Sequence, residues 1–103
     1  MSPRGFAPSK IDSNQVEIVQ ALRQCGYWVE SLATVGHGWP DLFVVSKTDV
    51  SRVMLLEVKG RAGRLTDDEK IFFSMYPGRV CVVRSPEEAI ETMQNFDQEN
   101  DDD

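Results

Sequence analysis

Ile18, Val19, Leu22 and Cys25 recur three and four residues apart, the spacing of one apolar helix face. Asp12 or Ser13 stands ahead of this run with N-cap chemistry and Gly26 closes it, so a first helix is predicted to end at about Cys25. The period then shortens to two: Tyr27 to Ala33 alternates as a half-buried strand does. VGHGWP, residues 35–40, reads as a turn, and Asp41 to Ser46 is apolar enough to predict a strand central in its sheet. KTDVS then leads into VMLLEVKG, Val53 to Gly60, a third strand. Gly60 and Gly63 break the chain, and Thr66-Asp67-Asp68-Glu69 has the Thr-x-x-Glu spacing of a capping box, which opens a second helix to about Tyr76. RVCVVR, Arg79 to Arg84, predicts a fourth strand, and Ser85-Pro86-Glu87-Glu88 repeats the capping signal ahead of a last helix to about Phe96.

A strand, a helix and another strand imply that the third and fourth strands run parallel, while the short connections before them imply an antiparallel meander. The predicted fold is α/β: a mixed four-stranded sheet flanked by helices on both faces, its third strand internal. At 103 residues and 41% hydrophobic, the chain suits one domain with a real core. Residues 1–10, with two Pro, a Gly and two Ser, are expected to form a flexible arm, residues 11–96 the domain, and residues 97–103 a disordered acidic tail.

The net charge of −6 argues against a nucleic-acid partner only until its distribution is considered. Through Phe96 there are 12 acidic and 11 basic residues, and the remaining five acids fall in DQENDDD. The body is near neutral, and Lys59, Arg61, Arg64 and Lys70 gather positive charge just after the third strand. They form either a phosphate-facing patch or an ordinary solvated face. No run approaches the roughly 18 apolar residues of a membrane span, and MSPRGFAPSK lacks the apolar region of a signal peptide. A cytoplasmic protein with no membrane partner is expected. Cys25 and Cys81 lack metal-site spacing. Reduced, packed thiols are expected, with one long-range disulfide compatible with the sequence.

The informative stretch is VMLLEVKG. Met54, Leu56 and Val58 share one side of the strand, while Val53, Leu55, Glu57 and Lys59 share the other, so an apolar row continues into two charges. Buried charges cost several kcal/mol, roughly, unless something offsets them. If the second and third strands are antiparallel neighbours, Asp41 at the start of one meets Glu57 and Lys59 at the end of the other. Two carboxylates that close raise each other's pKa. A hard divalent cation, Mg2+ or Mn2+, relieves the conflict, bound through Asp41, Glu57 and the backbone carbonyl of Val58. Lys59 then stands over the water or phosphate beside it.

Asp41 followed sixteen residues later by Glu57-Val58-Lys59, in this element order, resembles the PD-(D/E)xK nuclease superfamily with its restriction-endonuclease-like αβββαβ core, here with an extra C-terminal helix. Within it the chain resembles the virus-type replication-repair nuclease (VRR-NUC) family: an early helix with Glu17, the turn Gly38-Trp39-Pro40-Asp41, the strand end Glu57-Val58-Lys59-Gly60, and RLTDDEKIFF before a Val-rich strand. The segment after the lysine departs from the family's usual Leu-x-x-x-Gln, since Leu65 is followed by Glu69. The resemblance implies that Asp41 and Glu57 hold Mg2+ or Mn2+, that Glu17 reaches the metal directly or through water, and that Lys59 orients or deprotonates the attacking water. It implies a product with 5'-phosphate and 3'-hydroxyl ends. Stand-alone members of this kind are phage or prophage proteins, act as homodimers in the bacterial or infected cell, and cut branched DNA such as Holliday junctions.

Plainer readings stand beside these. Glu57 and Lys59 make a structural ion pair at a sheet end, Glu17 is a surface helix residue, and Glu69 is either the capping partner of Thr66 or an accessory site residue. His37 contacts DNA, carries a proton, or does neither. Trp39 meets bases, meets a second subunit, or folds back onto the core. Arg61, Arg64 and Lys70 are candidate phosphate contacts. The expected function is a divalent-metal-dependent, structure-selective DNA endonuclease, most specifically a Holliday-junction-resolving enzyme. Its rivals are a non-catalytic binding or regulatory protein on a nuclease fold and a flap- or sequence-specific nuclease.

Overall fold

A computed structural model describes residues 8–99, with α1 at Pro8–Gln24, β1 at Trp28–Ser31, β2 at Leu42–Val45, β3 at Val53–Val58, α2 at Asp67–Met75, β4 at Val80–Val83 and α3 at Pro86–Gln98. The order β1-β2-β3-β4 makes one four-stranded sheet. β1, β2 and β3 form the antiparallel meander and β4 joins β3 in parallel, as the lengths of the connections require. Among the described residues no helix is long and apolar enough to cross a membrane.

The core lies between the sheet and the pair α1 and α3. Ile18 and Leu22 of α1 and Met93 and Phe96 of α3 join Leu42, Val44 and Leu56 of the sheet in one buried cluster. Met54, Leu56 and Val58 are the row of β3 that reaches it, and Val53 and Leu55 on the opposite row are only half-buried. Glu57 breaks that pattern: it belongs to the outer row and is nevertheless 3% exposed. α2 stands on that outer side, where Glu69 meets Lys59. Cys25 and Cys81 are free thiols packed against the core.

Each strand is no longer than its predicted span, β1 keeping Trp28–Ser31 and β2 Leu42–Val45, and three expectations at helix ends are revised. α1 begins at Pro8 rather than near Asp12 or Ser13, since proline is well accommodated in a first turn whose N–H groups have no helical partner; of the predicted arm, residues 1–7 lie outside the described residues. Ser85 caps α3 by accepting from the Glu88 N–H, but Glu88 Oε1 accepts from the Arg84 N–H at 2.6 Å, so the second capping box is only half formed. α3 also runs past Phe96 into the predicted tail, of which residues 100–103 lie outside the described residues.

The reason is Asp97. Its buried carboxylate accepts from Tyr27 Oη at 2.6 Å, from Ser46 Oγ at 2.7 Å and from the Lys47 N–H at 3.1 Å. Burial and this carboxylate together push the Tyr27 hydroxyl well above its ordinary pKa. One acid thus ties the end of α3 to the start of β1 and the hairpin after β2. Asp97→Ala leaves those donors without an acceptor, at about 1–3 kcal/mol for each buried group left unpaired. Urea unfolding should show a loss of about 3 kcal/mol; a loss below about 1 kcal/mol would mean that the network adds little to folding.

Candidate active site

At the other end of the sheet, Pro40-Asp41 leads into β2, and β3 ends on Glu57-Val58 with Lys59 next in the chain. Leu42 pairs with Leu56 and Val44 with Met54, and the Ser46 N–H donates to the Arg52 carbonyl at 3.0 Å. Ladder bonds in an antiparallel pair recur every second residue, so the next position to exchange them is Pro40 against Val58. Proline has no N–H to give. The Val58 N–H turns instead to Asp41 Oδ2 at 2.8 Å, and the Val58 carbonyl receives no ladder donor from β2. Pro40 itself is fully buried, which fixes the start of the strand and therefore the position of Asp41.

Asp41, Glu57, Val58, Lys59 and Glu69 line one cavity of about 470 Å³ together with Asn14, Gly60 and Gly63. Lys59 Nζ lies 2.8 Å from Glu69 Oε1 and 3.3 Å from Glu57 Oε2. The other oxygen, Glu57 Oε1, is buried and has no hydrogen-bond partner among the described residues. Burial, with the carboxylates of Asp41 and Glu69 adding to it, pushes the Glu57 carboxyl up to about 8. Burial also raises Asp41, against the opposing pull of the Val58 N–H. On Lys59, burial pulls the pKa down, but the hydrogen bond to Glu69 and the charge of Glu57 outweigh it and the net shift is upward. Glu69 moves down: burial raises it, and the hydrogen bonds from Lys59 and the Thr66 N–H more than reverse that.

Glu69 performs both tasks that the sequence offered as alternatives. Its Oε1 accepts from the Thr66 N–H at 2.8 Å, completing the capping box of α2, and the same oxygen holds Lys59. One carboxylate therefore fixes the helix start and the lysine head at once.

Glu17 is exposed and does not line the cavity. Asn14, one turn earlier, does, and its amide donates to the Lys59 carbonyl at 3.1 Å. The signal for it was the helical phase. Asn14 lies four residues before the fully buried Ile18 and eight before Leu22, on the same stripe, whereas Glu17 is turned about 100° away from Ile18. Arg84 was also unanticipated: its guanidinium donates to the Gly60 and Gly63 carbonyls at 2.6 and 2.9 Å, holding the loop that closes the cavity. His37, Arg61, Arg64 and Lys70 are all exposed, His37 in the turn before Trp39 and the two arginines on the loop that leaves Lys59.

Among the described residues no group of three or more His, Cys, Asp or Glu side chains converges to hold a metal ion. The donor set consists of two carboxylates and a carbonyl, which suits a hard cation that keeps several of its waters. The unpartnered Glu57 oxygen and the upward pressure on both acids fit such an ion.

Two acids pushed upward by burial, beside a lysine held by Glu69 at the mouth of a mixed sheet, are consistent with a nuclease-like α/β core. The VRR-NUC domain model matches residues 6–85, and the chain belongs to this family of nucleases. Among curated proteins and among solved structures nothing matches it.

Proposed function

We propose that this chain is a divalent-metal-dependent, structure-selective DNA endonuclease of the PD-(D/E)xK type, acting on branched DNA such as Holliday junctions. The observation that carries the reading is Glu57, a buried acid with one oxygen unpartnered, set beside Asp41 and the Val58 carbonyl. Asp41, Glu57 and that carbonyl would hold Mg2+ or Mn2+. When bound, such an ion supplies Lewis acidity toward the phosphate and lowers the pKa of a water.

The protein's own groups do the rest. Asp41 is oriented by the Val58 N–H and Glu57 by burial. Lys59, held by Glu69, presents a positive charge to the scissile phosphate and orients the attacking water. Arg61, Arg64 and Lys70 would draw the backbone in without reading sequence, and selectivity would come from DNA shape. A homodimer, as in a stand-alone phage or prophage nuclease, suits a junction cut at two symmetric points in the cytoplasm of the host.

The test is incubation with end-labelled junction, flap, duplex and single strands, with Mn2+ and in EDTA, alongside a melting curve. Cleavage only with the cation and fastest on the junction is expected, as is a cation-dependent rise in Tm of several degrees, because an ion bound by the folded chain alone stabilises it. No cleavage together with an unmoved Tm would favour a binding protein on a nuclease fold. A flap cut in preference to the junction would change the substrate and leave the chemistry standing.

A further inference from the structure

Trp39 is 45% exposed although its ring packs on Phe72 of α2, centroids 5.1 Å apart. Phe72 in turn packs on Tyr76, also 45% exposed, at 4.9 Å. These rings form a short aromatic row, braced from below and open above.

The turn that carries Trp39 is built under constraint. Gly36, His37 and Gly38 all have positive φ, at 73°, 57° and 82°, and for His37 that is a costly conformation. A Cβ on Gly38 would sit 2.8 Å from the Asp68 backbone carbon and oxygen, so the turn is pressed against α2 at a spot where only glycine fits. The Trp39 N–H donates back to the Gly36 carbonyl at 3.1 Å. A turn this tightly set, ending in a fully buried proline, holds the indole at the surface instead of letting it fold inward.

Trp39 stands two positions before Asp41, at most about 7 Å of chain, so a nucleotide adjoining the scissile phosphate lies within reach of the ring. Asp68 lies against the turn at Gly38, and it and its neighbour Asp67 are exposed. They repel phosphate, which leaves the uncharged face of a base as the part of DNA that suits the row. In a continuous duplex that face is covered by its neighbours. At a branch or flap it is free.

We infer that Trp39, braced by Phe72 and Tyr76, stacks on a nucleobase face left uncovered at a branch point and is a specificity-determining residue for branched DNA. The inference rests on the proposed DNA substrate. Stacking on an aromatic side chain tolerates any base, as a shape-selective enzyme requires.

The test uses the full chain carrying Trp28→Phe, so that indole emission reports position 39 alone, titrated in EDTA with flap and junction DNA bearing 2-aminopurine at the branch point, and with linear duplex bearing it internally. Quenching of both fluorophores with the branched DNAs alone is expected. Trp39→Ala should weaken their binding by about tenfold or more while duplex binding moves by less than about twofold, and Trp39→Phe should recover most of the loss. Equal weakening on every DNA shape, or none, overturns the inference. If Trp39→Ala does not fold, the Trp28→Phe protein still decides: DNA bound and, with Mn2+, cut while indole emission stays unchanged sinks this inference alone. A parent protein that neither binds nor cuts DNA sinks the proposed function with it.

Discussion

Glu57→Gln should abolish cleavage and, in the same protein freed of metal, raise stability at pH 8. If Glu57 is the cation ligand proposed above, its replacement removes Lewis-acid assistance worth several kcal/mol, and at 1.36 kcal/mol per factor of ten the rate should fall by about a thousandfold or more. The gain in stability has a separate cause. Burial raises the Glu57 pKa from an ordinary 4.5 to about 8, so between those values the folded chain holds a proton that the unfolded chain has released. Where the folded state binds more protons, stability falls as pH rises. Asp41 is pushed in the same direction. With about 1.4 kcal/mol attached to each pKa unit, and the two acids sharing the effect, the metal-free protein should lose about 2–4 kcal/mol between pH 5 and pH 8. Denaturant midpoints across that range check it. In Glu57→Gln the slope should be much flatter, and added Mg2+ should remove most of it from the parent protein. A parent protein equally stable at both ends of the range would mean that Glu57 is not held as an acid short of a counter-charge.

This pair of effects separates a functional acid from a structural one. If Glu57 served the fold as the partner of Lys59, its replacement by an amide would weaken the metal-free protein wherever the acid is ionised, since removing one member of a buried pair leaves the other uncompensated. The geometry points the other way: Lys59 has a closer partner in Glu69, at 2.8 Å against 3.3 Å, and Glu57 keeps an oxygen with no partner among the described residues.

The convergence of Asp41, Glu57 and Lys59 was legible because it depends on strand order. Once β2 and β3 are antiparallel neighbours, the first residue of one must lie beside the last of the other, and the alternation of β3 decides which side chains share a face. The role of Pro40 needed the register, because only then does Val58 emerge as the residue whose carbonyl loses its donor. Asn14 and Glu17 were distinguishable in principle by helical phase, but a carboxylate drew attention that its position did not merit. Asp97 was concealed by composition. In DQENDDD it looks like one more solvated acid, and only the packing of Tyr27 and Ser46 against the end of α3 sets it apart. Glu69 shows a different limit, since two local signals competed for one side chain and a single oxygen satisfies both.

Lys59→Ala should slow cleavage by about a hundred- to ten-thousandfold while leaving cation binding in place. The upward shift of its pKa, with Glu69 and Glu57 outweighing burial, keeps Lys59 an ammonium throughout the neutral range in the metal-free protein. In that state it has no lone pair with which to take a proton from water, so of the two roles that family resemblance offers, orientation and charge stabilisation is the one this electrostatic environment supports. Lys59→Arg keeps the charge but spreads it over a wider, planar head, and in a space already defined by Glu57 and Glu69 it should recover only a minor part of the rate. Removing the ammonium also leaves Asp41, Glu57 and Glu69 facing one another without a counter-charge, so metal-free Lys59→Ala should melt lower than the parent and its Tm should rise further on addition of Mg2+. Parallel melting curves and single-turnover cleavage rates supply both readouts. Loss of the Mg2+ response along with the activity would mean that Lys59 builds the cation site rather than acting on the phosphate, and an unchanged rate would remove it from the chemistry altogether.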